Sequence, residues 1–151
     1  MRILGRNVAE DLLSSKCPLR DSPDGRFLAL VSDESGQNEV YVHAYPDAHR
    51  RWTISSAGGT EPTWSADGSE LFYRNGDAMM VVALETEPEL DPGVPRALFR
   101  KAFRMSPVLT NYDVSSDGQR FVMVEGGDET TEIRVVVNWF EELERIAPSR
   151  K

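Results

Sequence analysis

A single cysteine, Cys17, stands among 151 residues, so no disulfide can close within the chain. A lone thiol fits a reducing compartment, and as a nucleophile it would need an imidazole beside it. The only two histidines, His43 and His49, belong to another segment, and Cys17 is read as inert. No stretch approaches the roughly 18 apolar residues of a membrane helix. The opening Met1-Arg2-Ile3-Leu4-Gly5-Arg6 has no apolar run of the secretory kind, so the chain as written is expected in the cytoplasm unless a parent protein carries it elsewhere. Positive charge is also short. Seventeen Lys and Arg against 25 Asp and Glu leave a net charge of −8, which argues against a general nucleic-acid binder, since that would want a basic face. The acidic excess is read as solvated surface. Lysine is rarer still, 3 against 14 arginines, a bias with no physical account. Catalytic signatures are missing too: no Gly-x-Ser-x-Gly elbow, no Gly-x-Gly-x-x-Gly loop, no His-Arg-Asp and no Asp-Phe-Gly. Gly58-Gly59 and Gly126-Gly127 adjoin strand-like runs rather than helices, so neither cradles a phosphate.

What is present is a repeat. Ser22-Pro23-Asp24-Gly25, Ser65-Ala66-Asp67-Gly68 and Ser115-Ser116-Asp117-Gly118 each precede a strand-like run, and successive copies start 43 and 50 residues apart. A period of about 40–50 residues made of short strands is the signature of a propeller blade. Apolar residues at 40% and charged residues at 28% suit an ordinary globule of one domain.

Each unit follows one grammar. Phe27, Ala29 and Val31 alternate with Leu28 and Leu30, apolar on both faces, as a strand buried on both faces must be. Glu39 to Tyr45 is a second strand and Arg51 to Ile54 a shorter outer one. Glu61 to Ser65, Glu70 to Arg74, Ala78 to Leu84 and Arg96 to Phe99 form the next unit, with Asn75-Gly76 as a hairpin turn. Glu85 to Pro95 is acidic and Pro-rich and is read as a surface connection. The third unit holds strands over Asn111 to Ser115, Gln119 to Glu125 and Thr131 to Val137. The expected fold is all-β: a partial β-propeller of about three four-stranded blades with a C-terminal helix. Residues 1–20 form a divergent N-terminal segment, and 21–148 the partial propeller, with units of about 21–56, 57–100 and 110–138. The helix spans 138–147, capped by Asn138 with Glu141 at its third position. Trp139, Leu143 and Ile146 make one apolar stripe on it. It is expected to dock on the sheet rim, and Trp139, Phe140 and Leu143 are its candidate interface residues.

Each Asp-Gly pair is read as a turn rather than a ligand loop: Asp bonds its own backbone while Gly takes positive φ. Asp21, Asp24 and Gly25 fall short of a calcium loop, since Val31 stands where the closing Glu belongs. His43 and His49, six apart with Asp47 between them, are read as solvated rather than metal-ligating. No catalytic, cofactor-binding or metal-ligating residue is assigned. No cofactor is implied, and the chain is expected not to be an enzyme. Glu61 and Asp113 stand apart. Each lies at or near the start of a unit's first strand, which in a propeller lines the central channel, so both are candidate channel-lining acids.

Ser-Pro-Asp-Gly before an aromatic-aliphatic strand, Glu61-Pro62-Thr63-Trp64-Ser65-Ala66-Asp67-Gly68, and Tyr112-Asp113-Val114-Ser115-Ser116-Asp117-Gly118 resemble the WD-like, TolB-type β-propeller repeat of bacteria. The run from about Asp21 to Pro148 is similar to the C-terminal propeller region of some bacterial serine/threonine kinases, and Val137-Asn138-Trp139-Phe140-Glu141-Glu142-Leu143 adds to that likeness. The resemblance implies a non-enzymatic protein-interaction or sensor module within a larger bacterial protein, or else the propeller domain of a prolyl-oligopeptidase-like hydrolase without its catalytic part. The TolB type has six blades, and three units are present. Two sheet faces are then expected to lie uncovered. The expected partners are therefore a protein or a second copy completing the ring, with no nucleic acid and no membrane.

Overall fold

The computed structural model describes residues 19–46, 49–105 and 109–124 together with the strand Ile133–Val136. Cys17, Asp47, most of the N-terminal segment and the helix expected over 138–147, with Trp139, Phe140 and Leu143, lie outside the described residues.

Among the described residues the fold is all-β. The strands are β1 (Arg20–Asp21), β2 (Phe27–Ser32), β3 (Glu39–Ala44), β4 (Arg51–Thr53), β5 (Thr60–Trp64), β6 (Glu70–Asn75), β7 (Ala78–Glu85), β8 (Asp91–Pro92), β9 (Arg96–Arg100), β10 (Tyr112–Val114), β11 (Phe121–Val124) and β12 (Ile133–Val136). They make three antiparallel meanders in chain order: β1-β2-β3-β4, then β5-β6-β7, then β10-β11-β12. In the second sheet the outer edge of β7 is shared, Ala78 to Val81 pairing with β9 and Leu84 to Glu85 with β8. The acidic connection after β7 thus contains a strand that its composition hides. Two residues of pairing carry no periodicity, and the signal is instead Leu90, 4% exposed beside Asp91.

Period-two alternation stacks the sheets. Along β6, Leu71 and Tyr73 join Phe27, Ala29, Val31, Val40 and Val42 of the first sheet. Phe72, between them, turns the other way and joins Tyr112, Phe121 and Met123 of the third. The second sheet is therefore packed on both faces, which explains why its middle strands are apolar throughout. Ring contacts tie each seam. Phe27 stacks on Trp64 with centroids 6.5 Å apart, and Phe72 meets Phe121 edge-on at 5.2 Å. On the first sheet's other face Leu30 and Tyr41 are buried as well, with the Arg51 guanidinium 4.7 Å over the Tyr41 ring. On the far face of the third sheet Val122 is 39% exposed, in register with the exposed Asp113.

The three Asp-Gly copies build one network three times. In each, the Ser hydroxyl donates to the Asp carboxylate: Ser22 to Asp24, Ser65 to Asp67, Ser115 to Asp117. The same hydroxyl accepts the amide five residues on, from Phe27, Glu70 and Arg120. The carboxylate accepts the amide two residues on, from Arg26, Ser69 and Gln119. Gly25, Gly68 and Gly118 sit at φ +70, +75 and +69, where a side chain would be strained. These carboxylates are turn fasteners, which accounts for the Ser-x-Asp-Gly spacing without a ligand.

The network sets a pH dependence. At Asp24 desolvation pushes the carboxyl up, but hydrogen bonds from Ser22 and Arg26 outweigh it and hold it at about 2. At Asp67 the Ser65 hydroxyl and the Ser69 amide and hydroxyl hold it at about 2. Hydrogen bonds from Ser115 and Gln119 lower Asp117. A depressed folded-state pKa stabilises the fold above the unfolded value, near 4, and that contribution fades as pH falls towards 2. The melting temperature is expected to drop across that window. Asp67→Asn should flatten the drop while lowering stability at neutral pH. An unchanged acid slope in the variant would remove Asp67 as a cause.

Candidate functional site

Among the described residues β1, β5 and β10 are the first strands of their sheets, and each pairs on one edge only. The Trp64 indole Nε1 donates to the Arg20 carbonyl at 2.9 Å, tying β5 to β1 across the seam. Beside this tie a cavity of about 290 Å³ opens between Arg20–Pro23 and Thr63–Ala66. Arg20, Asp21, Pro23 and Ala66 are exposed along it. A second cavity, about 270 Å³, lies between two of the turns, where Asp67, Glu70 and Asp117 bring carboxylates together. Asp67 and Asp117 are already committed to the turn networks. Among the described residues no group of three or more His, Cys, Asp and Glu could hold a metal ion.

A polar cluster sits in the seam between the second and third sheets. The β5–β6 register shifts between Thr60 and Thr63, and within that bulge Glu61 has φ +55, a left-handed conformation costly for a non-glycine. The bulge turns Glu61 into the seam, where it is 1% exposed. Its Oε2 accepts the Asn111 amide at 3.3 Å, and its carbonyl accepts the Tyr112 hydroxyl at 2.7 Å. Arg74, on β6, is 1% exposed as well. Its Nη2 donates to the Gly76 carbonyl at 3.1 Å, and its guanidinium carbon lies 5.9 Å from the Phe103 ring centre. Among the described residues, the buried Arg74 Nε, Arg74 Nη1 and Asn111 Nδ2 have no hydrogen-bond partner. Burial pushes the Tyr112 hydroxyl well above the ordinary tyrosine range. A hydrogen bond with the Thr63 side chain opposes that push, the negative charge of Glu61 adds to it, and Arg74 and Arg20 oppose it. Tyr112 therefore stays a neutral donor to Glu61. Chemically, the cluster is a set of spare donors facing one carboxylate that is already engaged.

The two acids singled out by position separate here. Glu61 is buried in the seam and bonded to the next sheet. Asp113 is exposed, its Oδ1 accepting the Val114 amide at 2.8 Å. His43 is not a solvated strand end. It is 4% exposed within β3, opposite Leu28, because that face of the first sheet is closed. His49 is exposed. Arg74, Thr63 and Asn111 escaped notice in the sequence. Arg74 ends an apolar run just before Asn75-Gly76 and looks like an ordinary charged strand end. Only the odd placing of an arginine at a position in phase with Phe72 hinted that it would face inward.

No protein-family model matches this chain, and no curated protein matches it in sequence. Solved structures do resemble it. TolB from Acinetobacter baumannii matches with a TM-score of 0.58 and 18% identity, over 80% of this chain and 29% of that one. A putative 6-phosphogluconolactonase from Bacteroides uniformis matches with a TM-score of 0.48 and 19% identity, over 80% of this chain and 38% of its own. This chain thus spans under two fifths of the length of either. TolB is a β-propeller, and three stacked antiparallel meanders with a TolB likeness make this an all-β, propeller-like fold.

Proposed function

We propose that the chain is a non-enzymatic protein-interaction module, and that its contact surface is the cavity beside β1 and β5. One observation carries this: two first strands meet at an opening of about 290 Å³ rimmed by the exposed Arg20 and Asp21 of β1 and the exposed Pro23 and Ala66 of the two turns. Among the described residues β1 is two residues long and pairs with β2 alone, and both of its residues line this opening. A partner segment in extended conformation suits such an edge, with its side chains entering the cavity. The titratable groups that a catalytic account would recruit are held in turns and seams instead, as at Asp24, Asp67, Glu39 and Glu61.

The test is peptide selection by display against the full chain, followed by affinity measurement. Asp21→Arg and Ala66→Arg, both on exposed positions, should each weaken selected binders by ~10-fold or more, as losing a charged or packed contact does. Their melting temperatures should match the wild type. Binders indifferent to both substitutions would place the contact surface elsewhere.

A further inference from the structure

The two ends of the sheet stack differ. In the third sheet, β11 shows Val122 to solvent at 39% exposure, as the outer face of a terminal antiparallel sheet does. The corresponding strand of the first sheet, β2, does the opposite. Leu30 is 2% exposed, and on β3 Tyr41, opposite it, and His43 are each 4% exposed. These side chains stand apart from the cluster that packs the first sheet on the second, because that cluster takes Ala29, Val31, Val40 and Val42 from the other face. Arg51 lies over the Tyr41 ring but is itself exposed, and it leaves the burial of Leu30 without a cause. A bare outer face would leave such a leucine wet. The burial is reached within a single chain, so its cover is a segment of that same chain.

We propose that the outer face of the first sheet is a docking surface for residues 1–18 of this chain, which cap it through Leu30 and Tyr41. The point of entry favours this segment. It leads directly into β1, whose Asp21 is in register with Leu28, as Leu28 is with His43, so the chain joins the sheet along the row to be covered. Length suffices. Four strands at about 4.8 Å spacing make a face roughly 14 Å wide, and 18 residues span about 27 Å even as a helix. Composition suits an apolar face: Ile3, Leu4, Val8, Leu12 and Leu13 fall in the segment, with Leu4, Val8 and Leu12 four apart, a spacing that a helix sets on one side. The other stretches fit less well. Residues 47–48 and 106–108 are too short to cover a face, while 125–132 and 137–151 adjoin β12 of the third sheet, with the second sheet between them and this surface. The cap serves the first sheet as a neighbouring sheet serves the second, and it closes that end of the stack to a further sheet or a second copy. This surface goes beyond the contact surface proposed above and does not rest on it.

The experiment records nuclear Overhauser contacts of the Leu30 methyls and the Tyr41 ring in the full wild-type chain, with a mixed-label sample to separate contacts between copies. Contacts to side chains of residues 1–18, within one copy, are expected. Contacts to residues 137–151 instead, contacts only between copies, or none beyond the first sheet would overturn the proposal. A variant adds a second reading. Leu12→Asp together with Leu13→Asp should lower the melting temperature by about 4 °C or more, since charges are set against an apolar face. Val94→Asp, at a valine 88% exposed, should stay within about 2 °C of the wild type. Equal melting temperatures for the double variant and the wild type would count against the cap. If the double variant does not fold, the wild-type contacts decide the matter alone.

Discussion

Phe121→Ala is expected to cost about 3–5 kcal/mol, the range for emptying a phenylalanine site that cannot collapse. Phe121 is fully buried and meets three rings: Phe72 at 5.2 Å, Phe99 at 5.6 Å and Tyr112 at 6.5 Å. Those rings come from β6, β9 and β10, so one side chain joins the second sheet to the third. Its neighbour Val122 points to the far face and is 39% exposed. Val122→Ala should therefore stay within about 0.5 kcal/mol, as surface changes do. Urea melts of the two variants measure the contrast. Similar losses at 121 and 122 would mean that the two sheets are not packed through this face of β11.

The second large effect is expected at Glu39. Its carboxylate is 2% exposed at the start of β3. Oε1 accepts the Gln37 side-chain amide at 2.5 Å and the Gly58 backbone amide at 2.9 Å, and Oε2 accepts the Ser55 hydroxyl. Ser55 in turn accepts the Val40 amide at 2.8 Å. The carboxylate thus fastens the loop that carries the chain from the first sheet into β5. Gly59 packs beneath it so closely that a Cβ there would lie 2.4 Å from the Ser55 hydroxyl. Glu39→Ala strands several donors at once and should cost about 2–4 kcal/mol, with Glu39→Gln losing less because one acceptor oxygen and the shape survive. Glu34, five residues earlier, pairs with Arg51 at the surface, where side chains are about two-fifths exposed. Glu34→Ala should change stability by under about 1 kcal/mol. Equal losses at 34 and 39 would show that the loop is held by something other than the carboxylate.

The strands were legible because they obey period two and are punctuated by turns with their own chemistry. Ser-x-Asp-Gly announces itself locally, since its hydrogen bonds join residues no more than five apart. The candidate site was far less legible. Glu61 drew attention by its position at the head of a strand, yet its direction came from a bulge, and nothing in Glu61-Pro62-Thr63 states a positive φ. Arg74 drew none, because a charged residue before Asn75-Gly76 has an ordinary explanation at a strand end.

Local order therefore belonged to the sequence: which residues pair as strands, where each hairpin turns, and that the units repeat. These follow from alternation and backbone preference over a few neighbouring residues. What the tertiary structure alone decided is which face of each strand meets which sheet, and so that Glu61, Arg74 and Asn111, up to 50 residues apart, share one seam. A side chain's partner across a seam depends on how whole sheets stack. No short stretch of chain carries that information.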